Sequence, residues 1–113
     1  MIIKSTVKFV DIKSRNRFYN LERGDASERQ LFKYILRDKG DIKNNAFCGI
    51  PLHKKLIPDK YEKLGIDNLW KYDLPNGWRL VYTITSPNNI ELIAIIIEWF
   101  DHKNYEKRFK YVV

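Results

Sequence analysis

One cysteine, one methionine and two histidines in 113 residues leave few routes to metal or redox chemistry. A lone Cys48 permits no intrachain disulfide and no cysteine-based zinc site. It lies between Phe47 and Gly49 with no base beside it, so it is expected to be a small buried apolar residue and not a nucleophile. His53 and His102 lack partners at ligand-type spacing, so no metal is expected. No glycine-rich phosphate loop and no serine–histidine–aspartate grouping occurs. No apolar run nears the roughly 18 residues of a membrane span. The opening Met1-Ile2-Ile3-Lys4 turns polar too early for a secretory signal. Low-complexity stretches and internal repeats are also missing. The expectation is a soluble, cytoplasmic protein with no membrane association and no small-molecule cofactor.

What is present is enough for one folded domain over residues 1–113. The apolar fraction is 44% and the aromatic fraction 14%, which excludes global disorder. A formal charge of +7 makes a polyanion the first partner to consider, with solubility alone as the competing explanation. That charge is unevenly placed. Through Leu56 there are 13 Lys/Arg against 6 Asp/Glu, and from Ile57 onward 8 against 8. Within the neutral half, the tail carries Lys103, Lys107, Arg108 and Lys110 against Glu106. If the cationic first half and the tail meet in space, they form a basic rim.

Alternation in the opening stretch to Val10 predicts a strand. Asp11 is placed to cap a first helix carrying Ile12, Phe18, Tyr19 and Leu21, with Gly24 as its stop. Ser27 and Gln30 have capping-box spacing for a second helix, whose apolar face is Leu31, Ile35 and Ile42. Gly40 should fray its last turn, at about 1 kcal/mol relative to alanine. Residues 44–67 read as a long connection with a short helix over Asp59 to Leu64. Next come two strands joined at Asn76-Gly77, with Trp78, Leu80, Tyr82 and Ile84 on one face and Arg79, Val81 and Thr83 on the other. Ile90 to Phe100 is apolar at both parities and predicts a strand covered on both faces. The fold class is therefore α+β: an N-terminal strand and two helices on a twisted, mainly antiparallel sheet, with a short C-terminal helix.

The residues able to carry chemistry cluster in the last third. Asp101 can cap the terminal helix, and His102, Tyr105 and Arg108 then follow at three-residue spacing. His102 suits proton transfer near neutrality, and Tyr105 suits a phosphate or a base; equally, Tyr105 and Phe109 can dock the tail. Arg79 is either a rim charge or a planar fork held for an anion, with Lys71 across the hairpin. Glu98 can orient His102, balance Arg79 or sit in a buried ion pair. His53 with Lys54 and Lys55 reads as a solvated basic patch able to contact phosphate.

Five pieces of the chain, in order, resemble the RelE/ParE superfamily of toxin–antitoxin toxins, in particular the RelE-like mRNA endonucleases. They are Phe47-Cys48-Gly49-Ile50, Leu69-Trp70-Lys71-Tyr72, Gly77-Trp78-Arg79-Leu80-Val81-Tyr82, the apolar strand through Ile97, and Asp101-His102-Lys103 with Tyr105. The resemblance covers about Phe47 to Tyr111. It implies two N-terminal helices on a small sheet and a basic concave surface that takes mRNA in the ribosomal A site, and a cognate antitoxin as partner. The implied reaction is metal-free attack of a ribose 2′-OH on the adjacent phosphodiester, leaving a 2′,3′-cyclic phosphate and a 5′-OH. By this resemblance Arg79 matches the family's strand arginine and would be a catalytic residue stabilising charge on the scissile phosphate. His102 and Tyr105 match C-terminal positions that hold acid/base or phosphate-binding groups in many members, with Lys71 and Arg108 as electrostatic support. The gyrase-inhibiting branch shares the fold and cleaves nothing, and a non-toxic RNA- or partner-binding homologue is a further alternative. The stretch Ile50 to Asp67 exceeds that of compact members; it would serve as an RNA-contacting loop or an antitoxin dock.

Overall fold

In the computed structural model, which describes residues 5–88 and 90–109, the chain begins with strand β1 (Ser5–Phe9). Helices α1 (Ile12–Leu21) and α2 (Ala26–Asn44) follow, then a two-residue strand β2 (Ile50–Pro51) and a single-turn helix α3 (Asp59–Glu62). Strands β3 (Trp70–Asp73), β4 (Arg79–Thr85) and β5 (Leu92–Phe100) lead into helix α4 (His102–Phe109). The strands form one mixed sheet in the order β1-β5-β4-β3-β2. β1 runs parallel to β5 and the other three pairings are antiparallel. This is the expected α+β arrangement. Ile2 and Ile3 at the start and Lys110 and Tyr111 at the end lie outside the described residues.

Local chemistry explains where the helices start. Asp11 caps α1, its carboxylate accepting from the Ser14 amide at 2.7 Å. That bond holds the Asp11 carboxyl below its ordinary pKa. α2 begins two residues before the Ser27–Gln30 box would place it. The Asp25 carboxylate accepts from the Glu28 amide at 2.8 Å, and the Glu28 side chain reaches back to the Asp25 amide. An ionised acceptor suits the helix N-terminus better than a hydroxyl, and Ser27 falls inside the first turn. Nor does α2 fray at Gly40. It continues to Asn44 because Ile42, two residues past the glycine, is completely buried. Burying that side chain contributes about 2 kcal/mol, which outweighs the glycine penalty. The Ser5 hydroxyl donates to the Ile42 carbonyl at 2.9 Å and ties β1 to this end of α2.

Both faces of the sheet are covered, by different elements. On one face α1 and α2 bury Phe18, Phe32 and Ile35 against Leu80, Tyr82, Ala94, Ile96 and Trp99. On the other, α3, α4 and the adjoining loops bury Tyr61, Tyr105 and Phe109 against Leu69, Val81, Ile97 and Phe100. A β-bulge decides which residues of β5 face each side. Val81 faces Glu98 but Tyr82 faces Ile96, so Ile97 is an extra residue on β5. Tyr82 also fixes the connection after α2: its hydroxyl donates to the Ala46 carbonyl at 2.7 Å and accepts from the Gly49 amide at 3.0 Å. A Cβ on Gly49 would stand 2.7 Å from the Lys71 carbonyl oxygen, so only glycine fits there. The 3-10 turn Ala46–Cys48 points Ala46 inward, which leaves Cys48 exposed instead of buried as expected. Ile12 and Tyr19 are likewise exposed, leaving Phe18 as the main anchor of α1.

Asp38 departs from the apolar pattern. Its side chain is 0% exposed, neither carboxylate oxygen has a hydrogen-bond partner among the described residues, and the Arg37 Nε approaches only to 3.8 Å. Desolvation raises its pKa from 3.8 to about 7, opposed by Arg37 and reinforced by Asp41. The folded state therefore holds a proton that the unfolded chain releases near pH 4, so stability falls as pH rises from there and levels off above about 7. The shift sets a ceiling of about 4 kcal/mol on this loss. Urea unfolding at about pH 5 and about pH 8 should show the decline, and Asp38→Asn should flatten it. An unchanged decline in the variant would exclude Asp38 as its source.

Candidate anion-binding site

The hairpin between β3 and β4 carries the cations singled out in the sequence. A 3-10 turn over Pro75–Gly77 joins the strands, with Asn76 (φ 63°) and Gly77 (φ 79°) in the left-handed region that Asn-Gly tolerates. Asp73 and Arg79 stand opposite each other, and Lys71 opposes Val81, so all three lie on the face away from α1 and α2. Arg79 Nη1 donates to the Gly77 and Trp78 carbonyls at 2.9 and 3.2 Å. Its Nε lies 2.9 Å from Asp73 Oδ1 without hydrogen-bond alignment, so that contact is Coulombic. Lys71 Nζ is 3.4 Å from the same oxygen. One half-exposed carboxylate thus holds two cations, each with its side chain 20% exposed.

Beneath them lies Tyr105. Its ring centroid is 5.8 Å from the Arg79 guanidinium carbon and 5.9 Å from Lys71 Nζ, which places both cations over aromatic density. Tyr105 is 2% exposed and packs on Phe109 at 4.7 Å and Phe100 at 6.3 Å. It is both the tail anchor and the floor of the cationic pair.

His102 opens α4, where Asp101 caps the helix by accepting from the Asn104 amide at 2.8 Å. Its imidazole faces outward, 65% exposed, with Nε2 2.9 Å from Glu106 Oε1. It remains beside the hairpin: a Cβ built on Gly77, whose carbonyl Arg79 grips, would lie 3.5 Å from the His102 Cβ. The structure therefore brings Lys71, Arg79 and Tyr105 into one cluster, with His102 at its rim.

Glu98 belongs to a different group. Its Oε2 accepts from the Tyr61 hydroxyl and from Arg108 Nη1 at 2.9 Å, and Lys60 Nζ stands 3.6 Å from Oε1. Arg108 also lies over the Phe100 and Tyr61 rings at 5.3 and 5.9 Å. Burial and the adjoining carboxylate raise the Tyr61 pKa above its ordinary value. Of the three roles open to Glu98, the geometry matches the ion pair. Tyr61 was not anticipated, since only its place in the short helix of the connection was legible. Lys54 and Lys55 sit exposed on a 3-10 turn capped by His53, whose Nδ1 accepts from the Lys55 amide at 3.2 Å. No hydrogen bond or ion pair joins either lysine to Arg79 or His102 among the described residues. Lys103 is exposed on α4, while Lys107 and Arg108 share a cleft with Arg17 of α1. There the cationic first half and the tail do meet, in a cleft that reaches the hairpin at Trp78 but is not lined by Arg79 or Lys71.

Among the described residues no group of three His, Cys, Asp or Glu side chains could hold a metal ion, and no helix is long and apolar enough to cross a membrane. Comparison with protein-family models, curated proteins and solved structures finds no match.

Chemically, the hairpin cluster can hold an anionic oxygen between two preformed cations and present it to an imidazole. The Glu98 group is structural. Glu98→Ala leaves the Arg108 guanidinium and the Tyr61 hydroxyl unpartnered in partly buried positions and should lower stability by about 3 kcal/mol. Arg108→Ala leaves Glu98 with Tyr61 and Lys60, and the loss should be about half as large. Chemical denaturation of both variants checks the ranking; equal losses would refute it.

Proposed function

We propose that this chain is a toxin of the RelE/ParE type and acts as a metal-independent endoribonuclease on ribosome-bound mRNA. Its partner would be a cognate antitoxin that covers its basic surface. The observation that carries the reading is the pair Lys71–Arg79, pinned by Asp73 over the Tyr105 ring with His102 alongside. With its Nε2 directed at Glu106, His102 keeps Nδ1 for the proton of a ribose 2′-OH. The 2′-oxygen attacks phosphorus, the bond to the 5′-oxygen breaks, the departing 5′-oxygen takes a proton from water, and a 2′,3′-cyclic phosphate and a 5′-OH result. Arg79 stabilises the charge that builds on the phosphoryl oxygens, and Lys71 adds to the field. Tyr105, being buried, acts in this scheme by holding the two cations and not by touching RNA.

A second reading has its own support. The sheet face that carries Arg79 is covered by α4, with Tyr105 and Phe109 packed into it. That suits a non-catalytic member of the same fold that inhibits a protein target, or a binding homologue without toxicity.

Expression in a bacterial host should arrest growth, with new in-frame 5′ ends appearing in mapped cellular mRNA. His102→Ala should abolish both, because this exposed side chain can be removed without disturbing the core. Arg79→Ala should also restore growth, with some loss of hairpin stability from the two carbonyls it holds. Arrest with intact mRNA and rising DNA damage would refute the nuclease reading in favour of the second.

A further inference from the structure

A cleft of about 620 Å³ opens where the sheet runs out of strands. β1 accompanies β5 only to Phe9, opposite Ile96, and the Val10 amide donates to the Ile96 carbonyl at 2.8 Å. From Glu98 to Phe100 no described strand lies on that side of β5. Arg17 of α1 and Glu28 of α2 wall the gap on one side, Lys107 and Arg108 of α4 on the other, and the indoles of Trp78 and Trp99 line it between them.

The formal charges around this cleft balance, but their availability does not. Every carboxylate on its wall is already engaged. Glu28 accepts from the Asp25 amide, Asp101 from the Asn104 amide, and Glu98 from Tyr61 and Arg108. Among the cations only Arg108 is committed to an ion pair. Arg17 lies over the Trp99 ring at 5.0 Å, and neither Arg17 nor Lys107 makes an ion pair among the described residues. Two uncommitted cations, a half-buried indole and an open strand edge with unpaired backbone groups are a combination that suits a phosphate joined to an aromatic base. An extended peptide is less well served, because the open edge offers so few residues for a ladder.

We propose that this cleft binds one nucleotide, with its base against Trp78 and its phosphate between Arg17 and Lys107. The ligand is either a free mononucleotide or one residue of a bound RNA. The site touches the hairpin at Trp78, whose carbonyl Arg79 holds, but none of Arg79, Lys71 and His102 lines it, and it stands whether or not the chain cleaves RNA.

Nitrogen-15 NMR of the full chain, titrated with adenosine 5′-monophosphate and with a tetra-adenylate RNA, tests this directly. The indole N–H signals of Trp78 and Trp99 should shift saturably. That of Trp70, packed on Phe47 and Tyr82 outside the cleft, should not. Arg17→Gln and Lys107→Gln, both at exposed positions, should each weaken binding roughly tenfold with unfolding unaltered. Response to the tetranucleotide alone would support the site with polymeric RNA as its source. Three results would overturn the proposal: no indole shift with either ligand, equal shifts of all three indoles, or equal competition by inorganic phosphate or hexaglutamate. Loss of mRNA cleavage in other experiments would leave it untouched.

Discussion

The extra residue at Ile97 decides what every side chain beyond it faces. Strict alternation from Ala94 and Ile96 would carry Glu98 into the core beneath α1 and α2 and turn Trp99 away from it. An unpaired carboxylate among Phe18, Phe32 and Leu80 would cost several kcal/mol. The bulge leaves Ile97 on the far face, moves Glu98 and Phe100 to join it there, and returns Trp99 to the helix side. Glu98 then meets Tyr61 and Arg108, which fastens α3 and α4 to one strand. With α4 fixed, Tyr105 lies under Lys71 and Arg79, and His102 stands beside the hairpin. The anion site thus depends on a break in ladder register at Ile97, a residue that is not itself part of the cluster.

Much of this was legible in the sequence, and the misses have definite causes. The parity of Trp78, Leu80, Tyr82 and Ile84 against Arg79 and Val81 was readable because alternation is unbroken there. Asp11 as an N-cap and Asn76-Gly77 as a left-handed turn were readable because short-range sterics and hydrogen bonding decide both. The bulge was hidden, since a run that is apolar at both parities looks the same with or without an inserted residue. The capping box moved to Asp25 and Glu28 because two plausible boxes overlap and the charged one wins. Cys48 emerged exposed because a three-residue turn, with no periodicity to read, settled its direction.

The candidate site divides along the same line. That Lys71 and Arg79 share a face followed from the strand pattern. That one carboxylate, Asp73, holds both is a matter of cross-strand pairing. His102, Tyr105 and Arg108 have the spacing of a common stripe, yet they end respectively in solvent, in the core and in an ion pair. Three-residue spacing drifts around a helix, and α4 is short enough that the apolar demand of Tyr105 and Phe109 sets its rotation.

The parallel pairing of β1 with β5 also carries a kinetic consequence. Ser5 finds its partner at Leu92, with both long helices and three other strands lying between them in the chain. A closure of that span gives little reward until the strands between are in place. Until then α1 and α2 lack most of the surface they will cover, and Phe18 and Ile35 stay in water. A growing chain on the ribosome therefore passes through a long interval in which its basic helices exist without their sheet. Any activity that depends on the hairpin and α4 begins only when that interval ends.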